Sequence, residues 1–368
     1  MFEPYGDEGL YIAGPECFYR HGYELWWSQR KLAEYYGIPV VLPTSTVLKL
    51  DKEELRLNAQ EIFDDLIVQV GRTTAIIADL EFFRGCEPDG GTLFELGWIW
   101  ARGGRLYGYS RDMRPMSVKN QGARLENGIL LDQDGRPHPY GDLPFCPSLI
   151  GSTKLMEGTF PDALKVYLMD LDEERKRRAR GYGQPLSVRS VAYNGLRTVA
   201  DVGSGPVVYL AGPERYSPDA EVFYRDAKTL CRKYGYTAVC PLDAVEGMPE
   251  PKTEDPYVMA TWRFDKSMAL LSASDVLVAN LEDFHGWEPN SDVSFECGAA
   301  YAMGKRCIGY MPDTDVMRRR IPHYGEDRDN RDWCGNVVEN FDYPINLMFS
   351  CSMPVFEGNL EKVLQENL

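Results

Sequence analysis

The sequence predicts an α/β protein made of two tandem flavodoxin-like domains, each a doubly wound parallel sheet, associated as a pseudo-dimer. Three observations predict it. The motif Tyr11-Ile12-Ala13-Gly14-Pro15-Glu16 returns as Tyr209-Leu210-Ala211-Gly212-Pro213-Glu214. Residues 81–97 align without gaps on 282–298 with eight of seventeen positions identical, too many for chance. Within each copy the order is apolar strand, Gly-Pro turn, helix, strand, helix, strand, acidic loop, helix, strand, and this alternation implies a parallel sheet covered on both faces. At 368 residues each copy can bury a core of its own. The expected domains are 1–185 and 186–368.

Taken in order, the first strand of each copy ends in its Gly-Pro turn. The second is the run Ile38-Pro39-Val40-Val41-Leu42-Pro43, matched by Tyr236-Thr237-Ala238-Val239-Cys240-Pro241. Strands follow at 74–80 and 275–281, and at 106–109 and 307–310. Between the copies, residues 172–186 carry Arg175-Lys176-Arg177-Arg178 and then Gly181, Gly183 and Pro185, the pattern of a charged helix end and a solvated connector. Trp26, Trp27, Trp98, Trp100 and Trp262 fall at helical positions and are more often core or subunit contacts than stacking platforms. His285 reads as a loop residue rather than a catalytic base, and Arg318-Arg319-Arg320 as a solvated helix end.

Composition narrows the class of function. A formal charge of -16 argues against a protein that wraps nucleic acid, which needs surplus Lys and Arg, and points to a small-molecule ligand. No window approaches the eighteen apolar residues of a membrane span, and the start Met1-Phe2-Glu3-Pro4 has no secretory pattern, so a cytoplasmic location is expected. Nine cysteines without a C-x-x-C pair read as reduced thiols, and four histidines make zinc improbable. No metal is expected.

In open parallel sheets ligands sit beyond the carboxyl ends of the strands, so polar residues just after strands are the first candidates. The first copy offers Tyr11, Gly14 and Pro15 at the first turn, Asp79 at a strand end, and 89–95 running into a helix. There Gly90 and Gly91 permit close backbone approach, Thr92 can cap the helix, and Glu95 follows one turn later. Asp89 and Glu95 then flank one pocket. Two carboxylates around a pocket suit cleavage of a glycosidic bond, one attacking the anomeric carbon while the other protonates the leaving group. Equally, Glu95 could complete a capping pattern and Asp89 merely shape its loop.

Tyr11-Ile12-Ala13-Gly14-Pro15, together with Phe83-Arg84-Gly85, Pro88-Asp89, Gly91-Thr92, Glu95 and Gly97, resembles the signature of nucleoside 2-deoxyribosyltransferases, and both copies resemble it over most of their length. The resemblance implies that Glu95 is a nucleophile forming a 2-deoxyribosyl ester, that Asp89 binds and protonates the base, and that double displacement proceeds with retention and without a cofactor. It also implies deoxynucleosides and nucleobases as substrates, a place in nucleotide salvage, and a homo-oligomer, for which a trimer of the fused chain is plausible.

In this family an Asn-Leu-Met-like segment from a neighbouring subunit completes each pocket. Here Asn346-Leu347-Met348 supplies it in the second copy, whereas the aligned first-copy residues are Cys146-Pro147-Ser148. The second copy has Asn290-Ser291-Asp292-Val293 in place of Asp89-Gly90-Gly91-Thr92, although Glu296 persists. If the copies exchange these segments, one site receives Tyr11, Asp89 and Glu95 with Asn346 and Met348, and the other is inactive. For Met348 a strand packed into the core is a strong competing reading. Two departures stand out. The strand aspartate usual in the family is present as Asp275 but is Thr74 in the first copy, with Asp79 as a stand-in. The base-reading glutamine has no match in Thr44-Ser45-Thr46-Val47. Rival functions are an N-glycoside hydrolase passing through the same intermediate, a phosphoribohydrolase whose glycine-rich loop is only partly matched, and a noncatalytic nucleoside or nucleotide sensor.

Overall fold

The computed structural model describes residues 8–44, 48, 50, 51, 53–120, 122, 124–126, 129–131, 135, 140–181, 205–323 and 330–366. The chain start, residues 45–47 and the 185/186 boundary lie outside the described residues. The first half runs β1 (Leu10–Ala13), α1 (Gly22–Tyr35), β2 (Val40–Val41), α2 (Leu55–Val70), β3 (Ala75–Asp79), α3 (Gly90–Ala101), β4 (Arg105–Ser110), α4 (Met116–Lys119), a hairpin β5 (Arg124–Glu126) and β6 (Ile129–Leu131), α5 (Pro147–Ser152), β7 (Lys154–Glu157) and α6 (Phe160–Ala179). The second runs β8 (Val207–Ala211), α7 (Ala220–Lys233), β9 (Thr237–Val239), α8 (Pro256–Ser272), β10 (Val276–Asn280), α9 (Ser291–Ala302), β11 (Arg306–Met311), α10 (Met317–Arg320), α11 (Leu347–Ser352), β12 (Val355–Glu357) and α12 (Leu360–Glu366). Both Gly-Pro turns become one turn of 3₁₀ helix, Pro15–Phe18 and Pro213–Tyr216.

The parallel sheets have the orders β2-β1-β3-β4-β7 and β9-β8-β10-β11-β12, the flavodoxin-like arrangement expected. The central strands are continuous apolar runs because both faces are covered: every residue of β3 and of β10 is buried. The fifth strands were not expected from the sequence. They are short and pair only along one edge, with half-exposed side chains, so no apolar run marks them. Residues 344–348 are not a strand but the approach to α11, whose first turn Asn346 caps by accepting from Met348 N–H at 2.8 Å.

Helices α3 and α9 are almost wholly buried, which a helix covering one sheet alone would not be. They pack against each other across the two halves. A Cβ on Gly97 would lie 2.0 Å from the Phe295 carbonyl oxygen, and one on Gly298 1.9 Å from that of Phe94, so the backbones touch where both copies keep glycine. Around this crossing the largest core runs through both halves, with Phe94 against Phe63, Tyr301 and Phe349, and Trp100 against Phe264 and Phe295. Each half keeps a smaller core on the far side of its sheet. Short helices are exchanged: α5 packs on α8 of the other half, and α11 on α2. At the pseudo-twofold Gly85 bridges Gly286, Cys86 N–H donates to the His285 carbonyl at 3.0 Å, and Trp287 N–H to that of Arg84 at 2.9 Å.

Gly97→Ala sets a helix-propensity gain of about 1 kcal/mol against overpacking of about 1–3 kcal/mol or more. With backbone rather than a flexible side chain at 2.0 Å, overpacking wins. Denaturant unfolding should show a lowered midpoint; an unchanged or raised midpoint would mean that the helices are not in contact there.

Candidate functional site

A cavity of about 510 Å³ opens beyond the carboxyl end of the first sheet. From the first half it is lined by Gly14, Asp89, Gly91, Thr92 and Glu95, and from the second by Asn346 and Met348. Tyr11, Pro15 and Asp79 stand behind this wall: all three are buried, and none lines the cavity. Tyr11, on β1, reaches forward and its hydroxyl donates to Glu95 Oε1 at 2.6 Å.

Asp89, not Thr92, is the cap of α3. Its Oδ2 accepts from Thr92 N–H at 2.8 Å and from the Thr92 hydroxyl at 2.7 Å, because the helix begins at Gly90 and places Thr92 on the third position. The second oxygen, Oδ1, is buried and has no hydrogen-bond partner among the described residues. Fixed by one oxygen and free at the other, Asp89 is held to give or take one proton or hydrogen bond at the cavity wall. Burial pushes its carboxyl above the ordinary range, against the lowering effect of the Thr92 bonds. Burial likewise pushes Glu95 up to about 8; the Tyr11 hydrogen bond pulls it down, while Asp89 and Glu16 add repulsion.

Gly91 makes room for the other half. A Cβ there would sit 2.9 Å from Asn346 Nδ2. The loop before Asn346 is sewn to the first half: Val337 N–H donates to the Phe18 carbonyl at 2.8 Å, and buried Arg84 donates to the Val337 carbonyl at 2.7 Å and to Asp332 at 3.1 Å. Arg320, expected to be solvated, instead donates to Asp283 and to the Pro344 carbonyl, and so fixes the approach to Asn346.

Two acids escaped the sequence reading. Glu339 lines the cavity from the second half, accepts from Leu347 N–H at 2.9 Å, and is raised to about 8 by burial. It lies outside every repeated motif, so nothing in the sequence marked it. Glu16, present in both motif copies, is buried behind Gly14 next to Asp79 and accepts from Gln29 and Tyr109. Burial and the charge of Asp79 raise it to about 8, and burial raises Asp79 to about 6. In the second half this acid pair becomes Glu214 accepting from Asn280, an acid and a neutral amide. Asp79 does not stand in for Asp275. Asp275 accepts from Val207 N–H at the start of its strand, and Thr74 accepts from Gly9 N–H at the matching place. Asp79 is at the opposite end of β3, too far along the strand for that bond.

The corresponding acid in the second half is closed off. Arg215, which aligns with Cys17, grips Glu296 with both terminal nitrogens at 2.7 and 2.5 Å, while Tyr209 donates to it at 2.7 Å. Asp292, aligned with Gly91, accepts from the Ser148 backbone and hydroxyl and from the Tyr216 hydroxyl. Asp292 thereby caps α5 from across the interface, which Cys146 cannot do. Among the described residues no cluster of His, Cys, Asp and Glu has the arrangement of a metal site, and no helix is long and apolar enough to cross a membrane.

The family model for nucleoside 2-deoxyribosyltransferases matches residues 10–138 and again 208–348. Among solved structures the chain is similar to a 2-deoxyribosyltransferase from Leishmania mexicana, at 24% identity over 44% of this chain and 99% of that one, with a TM-score of 0.35. It is also similar to a 2-deoxyribosyltransferase from Bacillus psychrosaccharolyticus, at 19% identity over 44% and 93% of the two chains and a TM-score of 0.29. A conserved protein from Enterococcus faecalis gives 22% identity over 44% and 97%, with a TM-score of 0.28. No match was found among curated proteins. With both copies of its repeat matched, the chain belongs to the nucleoside 2-deoxyribosyltransferase family.

Proposed function

We propose that the chain exchanges the base of 2'-deoxynucleosides in the composite cavity, through an ester on Glu95. The observation that carries this reading is that one cavity gathers Asp89 and Glu95 of the first half with Asn346 and Met348 of the second. Glu95 attacks the anomeric carbon, the glycosidic C–N bond breaks, and the departing base takes a proton from Asp89. A second base then attacks the anomeric carbon, its proton returns to Asp89, and the Glu95 carboxylate is released. Two displacements retain configuration. Tyr11 steadies the Glu95 carboxylate as a nucleophile, and Asn346 offers its amide N–H to a sugar hydroxyl.

Transfer, rather than capture of the ester by water, is favoured by the apolar part of the lining, which includes Phe18, Leu50, Ile62, Leu66 and Phe341. Such walls hold a second base flat and leave little for water to bond. The proposed domains are the two halves of the repeat, 1–185 and 186–368, with the first providing the reacting carboxylates and the second completing the site.

Incubation with deoxyinosine or thymidine plus free adenine, followed by chromatography, tests the reading. Wild type should form deoxyadenosine. Glu95→Ala should lose at least about 10⁴-fold and Asp89→Asn about 10²–10⁴-fold. Free deoxyribose without deoxyadenosine would make the chain a hydrolase, and neither product across a base panel would sink the catalytic reading.

The pH dependence has a definite sign. Attack requires ionised Glu95, burial holds its pKa at about 8, and the Tyr11 bond lowers it. Activity in kcat/KM should therefore rise with pH through the ionisation of Glu95 and fall again where Asp89 loses the proton it gives to the leaving base. Tyr11→Phe removes a lowering influence, so the rising limb should move to higher pH. A limb that stays in place would show that another group controls it.

A further inference from the structure

The second half retains a cavity of about 300 Å³ at the position that mirrors the first. Its mouth again involves the Gly-Pro turn, the end of the second strand and the helix before the third. The chemistry of the wall, however, is inverted. Cys17 becomes Arg215, Ile62 becomes Arg263, Asp65 becomes Lys266 and Leu66 becomes Ser267, and all four replacements line the second cavity.

Lys266 is the most telling of them. It is 7% exposed, and its ammonium lies 4.5 Å from the centroid of the Trp262 ring, with no hydrogen-bonding or ion-pairing partner among the described residues. A buried ammonium without an anion is costly, and a cation–π contact offsets only part of that cost. Burial accordingly lowers its pKa. Arg263, at the mouth, likewise has no ion-pair partner among the described residues. The acids nearby do not fill the need: Asp243 is paired with Lys228 and accepts from Cys240 N–H, Glu296 is held by Arg215, Asp292 is occupied by Ser148 and Tyr216, and Glu221 and Glu250 lie exposed at the rim. Trp262, Phe264, Pro241 and Leu242 meanwhile keep part of the wall suited to a flat ring.

We propose that this second cavity is a noncatalytic binding site for a phosphate-bearing ligand of nucleoside-monophosphate class, with Lys266 and Arg263 receiving the phosphate. Arg215 serves two ends there: it silences Glu296 as a nucleophile, and it prevents a free carboxylate from repelling the anion.

Calorimetric titration of the full chain with 2'-deoxyadenosine and 2'-deoxythymidine 5'-monophosphates tests this, with deoxyadenosine and inorganic phosphate as comparisons. One monophosphate should bind per chain, more tightly than either comparison. Binding should weaken at least about tenfold in Lys266→Met and in Arg263→Met, yet persist in Lys266→Arg and in Glu95→Ala. Arg263 is exposed, so its variant remains informative even if Lys266→Met fails to fold. Absence of binding, equal binding by Arg263→Met, or loss of binding in Glu95→Ala would overturn the proposal. Equal affinity for inorganic phosphate would overturn the nucleoside part of it. The readout needs no turnover, so it stands apart from the outcome of the base-exchange assay.

Discussion

The backbone contact between α3 and α9 is the constraint on which the rest of the structure depends. Because Gly97 and Gly298 carry no side chain, two helices that would otherwise each cover one sheet lie against each other and share a single core. Their N-terminal loops then meet at the pseudo-twofold, where Glu288 accepts from Gly90 N–H at 3.1 Å and Glu87 accepts from the Ser291 hydroxyl. Each half thus holds the start of the other's site helix. Sites that borrow residues across the interface follow from that closeness.

The two cavities show how one scaffold can host opposite electrostatics. In the first, burial keeps Asp89, Glu95 and Glu339 together with raised pKa values, so that the group holds protons it would shed in water. In the second, the same burial acts on an arginine and a lysine. Arg215 and Glu296 neutralise one another, while Lys266 is left with an aromatic face. The differences are concentrated in the turn after the first strand, the helix before the third and the first turn of the site helix. Sheet order and register are untouched.

The sheet architecture was legible because central strands are unbroken apolar runs and because the repeat doubles every signal. The meeting of Asp89 and Glu95 with Asn346 was legible for a related reason: the defects of one copy are the mirror of the competences of the other. What could not be read were features without local pattern. The edge strands β7 and β12 bury too little to show alternation. Glu339 reaches the cavity only because Arg84 and Phe18 draw its loop across. The Arg215 clamp was hidden because an arginine two residues after Gly-Pro looks like any exposed cation until its carboxylate is located. Asp79 could not replace the missing aspartate because that bond is made at the start of the strand, where Thr74 makes it with a hydroxyl, and five residues along a strand reach the opposite edge of the sheet.

Asp292 carries a wider lesson. In a symmetric pair of separate subunits every substitution appears twice, so an aspartate placed to cap a neighbour's helix would occupy both cavities at once. Joining the copies in one polypeptide removes that doubling. Asp292 can cap α5 at the wall of one cavity while Gly91 leaves room for Asn346 in the other, and the cysteine it compensates for belongs to the opposite half. Divergence in such a chain therefore runs by cavity and not by domain, and the half that looks worn contributes Asn346 and Glu339, residues its intact twin does not have.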